Sequence, residues 1–238
     1  MALNKEVFKT RALTAFVFVL VMLLGLLGNK YSFAILFTII HWGCWKEFVK
    51  LTKKIYGGNT MYGLLGLLYI SAPIIMLLIL FFQVDNARLI PANGIIPIKH
   101  IDARVIPCGI IFSIWINDTM AYLVGSFIGK TPFSPISPKK TWEGTAGGAI
   151  LCVILIGVLG YFIPMAKMLA VQHWIAIAAI CAIFGTAGDL LESKIKRMAN
   201  VKDSGSFMPG HGGFLDRFDS LLVAIPFVWL YIKLFVQL

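Results

Sequence analysis

The stretch Gly185-Thr-Ala-Gly-Asp-Leu-Leu-Glu-Ser-Lys-Ile-Lys-Arg197, Met198-Ala-Asn-Val-Lys-Asp-Ser-Gly-Ser-Phe-Met208, Pro209-Gly-His-Gly-Gly-Phe-Leu-Asp-Arg-Phe-Asp-Ser220 joins two apolar runs through a band of mixed charge. Five of the chain's eleven acidic residues fall in it: Asp189, Glu192, Asp203, Asp216 and Asp219. Five basic residues and the pair Gly212-Gly213 lie among them. A mixed-charge segment between spans is often only a solvated connection. Here Asp189 follows an apolar helical pattern without a break, and Asp219 opens the next one. Carboxylates so close to hydrocarbon are costly, which makes them candidates for function. Interleaved with lysine, arginine and glycine, they suit a site holding a hard divalent cation and phosphate oxygens together.

The rest of the chain agrees with a membrane setting. Hydrophobic residues make up 59% of the 238 positions and charged residues 13%, about half the share usual in soluble domains. Mean hydropathy is +0.86. Seven apolar runs are readable, near residues 12–28, 31–45, 62–82, 103–116, 145–163, 172–191 and 218–236. Helices satisfy their own backbone groups in lipid, so the expected fold is all-α, a polytopic integral membrane bundle of about seven transmembrane helices. The first run is read as a retained span, since no convincing cleavage site follows it. Residues 1–102 are expected to form an N-terminal region of about three spans and an external loop, and 103–238 a C-terminal transmembrane region that carries the chemical motifs. Pro73 predicts a kink in the third span and Gly57-Gly58-Asn59 a helix stop. Lys46, Glu47, Lys50, Lys53 and Lys54 extend the second run as an interfacial segment.

Charge placement orients the bundle. With a cytoplasmic N-terminus, fifteen of the 21 Lys and Arg side chains fall on the cytoplasmic side and six on the other. Nine of the eleven acidic residues fall there too. The net charge of +10 belongs to these loops; no basic block with interleaved aromatics suggests nucleic acid. Cys44, Cys108, Cys152 and Cys181 are scattered singly and read as packing residues.

A second chemical cluster runs from Asn117 to Gly144. Asp118 interrupts an apolar run, and Ser137-Pro138-Lys139-Lys140-Thr141-Trp142-Glu143-Gly144 follows a segment with three prolines. Paired lysines beside hydroxyls, leading into a helix start, suit a polyphosphate, though the same lysines could merely anchor the chain at the membrane surface. Gly125/Gly129 and Gly144/Gly148 have the spacing of close helix packing.

Ser193, Lys196-Arg197, Lys202-Asp203, Pro209, His211-Gly212-Gly213, Asp216-Arg217 and Asp219, with Asp118-Thr119-Met120-Ala121-Tyr122 and the Ser137-to-Gly144 element, resemble the signature of the phosphatidate cytidylyltransferases (CDP-diacylglycerol synthases). The N-terminal half carries no signature and is short between Gly58 and Asp102 for that family. The resemblance implies a CTP-dependent nucleotidyltransferase that passes CMP from CTP to phosphatidate, giving CDP-diacylglycerol and pyrophosphate. It implies catalytic roles for Asp118, Lys140, Asp189, Lys196, Arg197, Asp216 and Asp219. It implies substrate contacts for Ser137, Lys139, Thr141, Glu143, Ser193, Lys202, Asp203, His211, Gly212, Gly213 and Arg217. Asp189, Asp216 and Asp219 are the expected ligands of Mg²⁺, with or without a second cation. CTP, phosphatidate and membrane lipid are the expected partners, and a homodimer is left open. The expected location is a bacterial inner membrane with the site facing the cytoplasm. A CTP-dependent kinase of a polyprenol-type alcohol is the alternative enzyme, and a small transporter or lipid-binding protein the alternative class. A transporter would be expected to show inverted repeats, which are not found.

Overall fold

In a computed structural model, described for residues 5–58, 60–86, 102–208, 210 and 212–236, the chain is a bundle of seven long helices. They are α1 (Lys5–Leu27), α2 (Lys30–Tyr56), α3 (Ala72–Asn86), α4 (Val105–Ile128), α5 (Trp142–Phe162), α6 (Val171–Met198) and α7 (Leu215–Tyr231). Among the described residues, six segments are long and apolar enough to cross a membrane: Thr10–Leu27, Met61–Gln83, Val105–Ile128, Trp142–Phe162, Val171–Met198 and Leu215–Val236. The protein is an integral membrane protein.

The second predicted span forms as α2 but is not among those six, because its C-terminal half carries Lys46, Glu47, Lys50, Lys53 and Lys54. At 27 residues it is ~40 Å long and still runs the depth of the bundle. Asn29 starts it: its side chain accepts hydrogen bonds from Tyr31 N (2.9 Å) and Ser32 N (3.0 Å), while Ser32 Oγ accepts from Asn29 N (2.9 Å). The expected stop at Gly57 is present as a left-handed C-cap with φ 63°. The Pro73 expectation also has a structural counterpart. A π turn, Leu67–Ser71, ends just before Pro73, where the missing N–H and the ring disturb the helical ladder.

Polar ties define the two ends. Arg104 Nη1 donates to the carbonyls of Leu27 (2.6 Å) and Gly28 (3.2 Å), bringing the α1–α2 turn beside the start of α4. Lys233 donates to Gln83 Oε1 at 2.5 Å, and His173 is hydrogen-bonded to Tyr231 at 2.9 Å, so α3, α6 and α7 meet at this same end. Asp102 grips Arg104 there through Oδ1 (2.7 Å) and Oδ2 (2.5 Å), and these bonds hold its carboxyl below the usual range. Each long helix returns opposite to its predecessor, so the charged motifs of α2, α4, α5, α6 and α7 collect at the other end.

Large aliphatic and aromatic side chains fill the middle: Phe37, Leu77, Ile106, Ile110, Ile177 and Leu215 are fully buried. The four cysteines are buried free thiols. Gly144 and Gly148 carry the tight α4–α5 contact, as their spacing suggested. A Cβ at Gly148 would lie 2.7 Å from the backbone of Ala121, and one at Gly144 would lie 2.9 Å from Cα of Gly125.

One element departs from the all-helical expectation. The segment with three prolines is a small antiparallel hairpin, β1 (Pro132–Ser134) and β2 (Ser137–Thr141), with Pro132 paired to Thr141 and Ser134 to Ser137. Both strands of a two-stranded ribbon are edges, where proline's missing donor is tolerated. The predicted external loop between α3 and Asp102 falls mostly outside the described residues.

Candidate functional site

At the charged end, a polar cavity of about 470 Å³ opens between α4, the hairpin, the start of α5, and α6. Asn117 and Asp118 line it from α4, Ser137, Lys139 and Lys140 from β2, and Asp189 from α6. The hairpin delivers the lysines: β2 runs directly into α5, whose N-cap Thr141 accepts a hydrogen bond from Gly144 N at 3.1 Å. Glu143 does not reach the cavity's polar wall. It braces the hairpin's neck, accepting from Thr131 Oγ1 (2.7 Å), Thr131 N (3.1 Å) and Lys130 N (3.2 Å). Lys140 forms an ion pair with Asp189, both side chains remaining partly exposed. Asn117 is buried, and its Oδ1 has no hydrogen-bond partner among the described residues.

Behind Asp189 lies a carboxyl trio. One oxygen each of Asp189, Glu192 and Asp219 fall within 4.8 Å of one another. Asp189 and Glu192 are three residues apart on α6 and share a face. Asp219 reaches them from α7 because Gly188 lets the α7 backbone approach; a Cβ at Gly188 would lie 2.5 Å from the Asp219 carbonyl oxygen. Ser193 donates to Asp189 Oδ1 at 3.3 Å, and Ser220 N to Asp219 Oδ1 at 2.7 Å. Glu192 is fully buried, its Oε2 in an ion pair with Lys196 and its Oε1 without a hydrogen-bond partner among the described residues. Such a group keeps lone pairs available for a cation.

Asp216, expected beside Asp189 and Asp219, has a different set of partners. Its Oδ1 accepts from Lys196 Nζ at 2.6 Å. Its Oδ2 accepts from Gly213 N (2.7 Å) and Ser204 N (2.9 Å), with Ser204 Oγ also at 2.9 Å. These bonds tie the loop between α6 and α7 into a closed turn. Gly212 permits it twice over: φ is 87°, and a Cβ there would lie 2.5 Å from Asp216 Oδ2. Met208 N donates to Gly212 O at 2.9 Å across the same turn.

The loop is also held from the N-terminal half. Glu47 of α2 is buried, and it accepts from Phe214 N (3.0 Å), Leu215 N (2.9 Å) and Ser204 Oγ (2.7 Å). The Ser204 hydroxyl has one proton and lies between Glu47 and Asp216, so the two carboxyl groups compete for it. Two free backbone N–H groups at the start of α7 are thereby satisfied by a side chain from α2.

The remaining nominated residues spread around this centre. Lys139, Arg197, Lys202 and Asp203 are exposed, and Arg197 makes a long bond to Val201 O at 3.4 Å. Arg217 flanks a small slot of about 90 Å³ with Phe18, Phe207, Phe214 and Phe218. His211 lies outside the described residues. Glu192, Ser204 and Asn117 were not nominated. Glu192 was legible as the residue three places beyond Asp189 and Asn117 as the neighbour of Asp118 that opens the second cluster, whereas Ser204 carries no local signal.

Residues 102–235 match the model of the cytidylyltransferase family. A 124-residue stretch is 44% identical to a Bacillus subtilis protein named phosphatidate cytidylyltransferase, covering 51% of this chain and 45% of that one. The Staphylococcus haemolyticus and Staphylococcus saprophyticus proteins of the same name are each 45% identical over 114 residues, covering 48% of this chain and 43% of theirs. The chain therefore matches rather less than half the length of these relatives. With more than half of its residues inside the family model, the chain belongs to the cytidylyltransferase family.

Proposed function

We propose that this protein is a phosphatidate cytidylyltransferase of a bacterial inner membrane, its site on the cytoplasmic face to which the Lys and Arg bias points. A phosphate oxygen of phosphatidate attacks the α-phosphorus of CTP, the bond from that phosphorus to the bridging oxygen breaks, and pyrophosphate leaves with the bond electrons. The attacking oxygen is already anionic, so the reaction asks for alignment and charge neutralisation more than for a strong base. The observation that carries this reading is the Lys140–Asp189 ion pair, which joins a lysine-lined polar cavity to the carboxyl trio. Cations on one side suit the polyphosphate, and carboxyl oxygens on the other suit a divalent cation.

The donor set fits Mg²⁺: three carboxyl groups within reach of one ion, one of them buried with an unpartnered oxygen. Asp189, Glu192 and Asp219 would hold it, and a bound Mg²⁺ supplies charge neutralisation for the phosphate oxygens. Asp216, tied up by Lys196, Ser204 and Gly213, shapes the loop instead. Lys139 and Lys140 bind the polyphosphate, and Asn117 offers an acceptor inside the cavity. Arg217 and the aromatic slot beside it take the acceptor lipid. Residues 103–238 carry the chemistry in this reading, and 1–102 brace it through Glu47.

Purified protein given CTP and Mg²⁺ should make CDP-diacylglycerol from phosphatidate and nothing from diacylglycerol or a polyprenol. Phosphorylation of either alcohol would replace this reading with the kinase.

A further inference from the structure

Helix α2 carries a surface that the reaction does not use. Trp42, Trp45, Lys46, Val49, Lys50 and Lys53 line a groove of about 480 Å³ on its outer face. None of the six lines the polar cavity or belongs to the carboxyl trio. The groove wall is fixed. Trp45 Nε1 donates to Ser71 Oγ at 2.8 Å, and Gly66 packs so close that a Cβ there would lie 2.8 Å from the Trp45 ring. Lys46 holds its ammonium 5.3 Å from the Trp42 ring centre.

The charge on this face is one-sided. Lys46, Lys50 and Lys53 are exposed and form no ion pair with any described residue. The acidic residue of α2, Glu47, is turned inward onto Phe214 and Leu215. Below the lysines the same stripe becomes apolar, with Ile35 60%, Ile39 51% and Trp42 65% exposed. Positions 35, 39, 42, 46, 50 and 53 follow helical spacing along one side. From 35 to 46 the stripe covers ~16 Å, about one leaflet of hydrocarbon. An apolar stretch, an aromatic boundary and a cluster of cations therefore succeed one another in the order in which the acyl chain, interface and phosphate of a phospholipid would meet them.

We propose that this groove binds an anionic glycerophospholipid of the surrounding leaflet, its phosphate among Lys46, Lys50 and Lys53 and its upper acyl carbons against Trp42. Charge complementarity selects the headgroup, and the fixed tryptophan wall distinguishes the groove from a row of mobile lysines. The site is separate from the proposed reaction and stands whether or not that reaction is the right one.

The test uses the full chain in phosphatidylcholine nanodiscs containing a small fraction of photoactivatable phosphatidylglycerol, its diazirine near the headgroup. After illumination, labelled peptides are mapped by mass spectrometry. Labelling should concentrate between residues 42 and 53 and exceed that by photoactivatable phosphatidylcholine at least fivefold or so. It should fall to the phosphatidylcholine level in Lys46→Gln/Lys50→Gln/Lys53→Gln, and by an intermediate amount in Lys50→Gln alone, with unfolding midpoints unchanged. Equal labelling by the two lipids would reduce the groove to ordinary lipid contact and overturn the proposal. So would labelling indifferent to the glutamine substitutions, or labelling confined to other helices.

Discussion

Ser204 Oγ lies 2.7 Å from Glu47 Oε2, joining a loop residue to a helix residue 157 positions earlier in the chain. That bond, with those from Phe214 N and Leu215 N, makes the N-terminal half part of the site's scaffold. Glu47→Ala would leave the buried Leu215 N–H and the half-buried Phe214 N–H without this acceptor, the buried one costing about 1–3 kcal/mol. The expected result is a lower unfolding midpoint in detergent and a fall in turnover of roughly tenfold or more as the loop loses its place. Glu47→Gln keeps one carbonyl acceptor and should retain more of both. Equal behaviour of the two variants would contradict the bonding described for Glu47.

Gly212 should resist replacement for two separate reasons. A left-handed φ costs an L-residue about 1–2 kcal/mol, and the added methyl would press on Asp216 Oδ2. Gly212→Ala is expected to lose most activity while the bundle stays folded by circular dichroism. Wild-type turnover in that variant would mean the turn adapts freely.

The carboxyl groups divide into two kinds, and substitution should separate them. Asp189→Asn, Glu192→Gln and Asp219→Asn each remove a proposed cation ligand, and a factor of about 10³ in turnover is expected, with partial recovery at high Mg²⁺. Asp216→Asn weakens the turn that Lys196 and Gly213 support, so it should lower the unfolding midpoint and show no recovery with added Mg²⁺. Recovery of Asp216→Asn alone would return Asp216 to the ligand set.

Lys139→Ala should raise the KM for CTP several-fold and leave kcat nearly unchanged, because an exposed lysine at the cavity's edge contributes to binding ahead of the chemistry. A fall in kcat with KM constant would assign it to the transition state instead.

At the opposite end, the Asp102–Arg104 pair should make stability pH-dependent. Arg104 holds the Asp102 carboxyl below its unfolded value, so the pair's contribution is complete above about pH 4 and disappears as pH falls through the folded-state value. Both side chains are partly exposed, so the effect is below about 1 kcal/mol. Asp102→Asn should lower the unfolding midpoint slightly at pH 7 and by progressively less as the pH is taken down below 4, measured by thermal unfolding.

The helical bundle was legible because hydropathy and length decide it: seven apolar runs became seven helices, and only α2 carries too much charge to count by composition. The Gly144/Gly148 spacing also announced its packing role. The hairpin was hidden because three prolines in a short segment read as a loop, and a two-stranded ribbon has no interior strand to forbid them. In the site, carboxylates near hydrocarbon pointed to Asp189 and Asp219. The partners of Asp216 were invisible because they depend on how the loop closes: Ser204 and Gly213 donate to it only in the folded turn. Glu47 was legible only as part of a charged interfacial segment, and its bracing of the loop was not, since its donors lie beyond residue 200.

The most direct test of the proposed reaction follows the label in CTP. Purified protein with phosphatidate and Mg²⁺ should transfer the α-phosphorus of CTP into lipid and release one pyrophosphate for each lipid labelled, while γ-label stays out of the lipid. Lipid carrying γ-label without α-label, accompanied by CDP, would contradict the account.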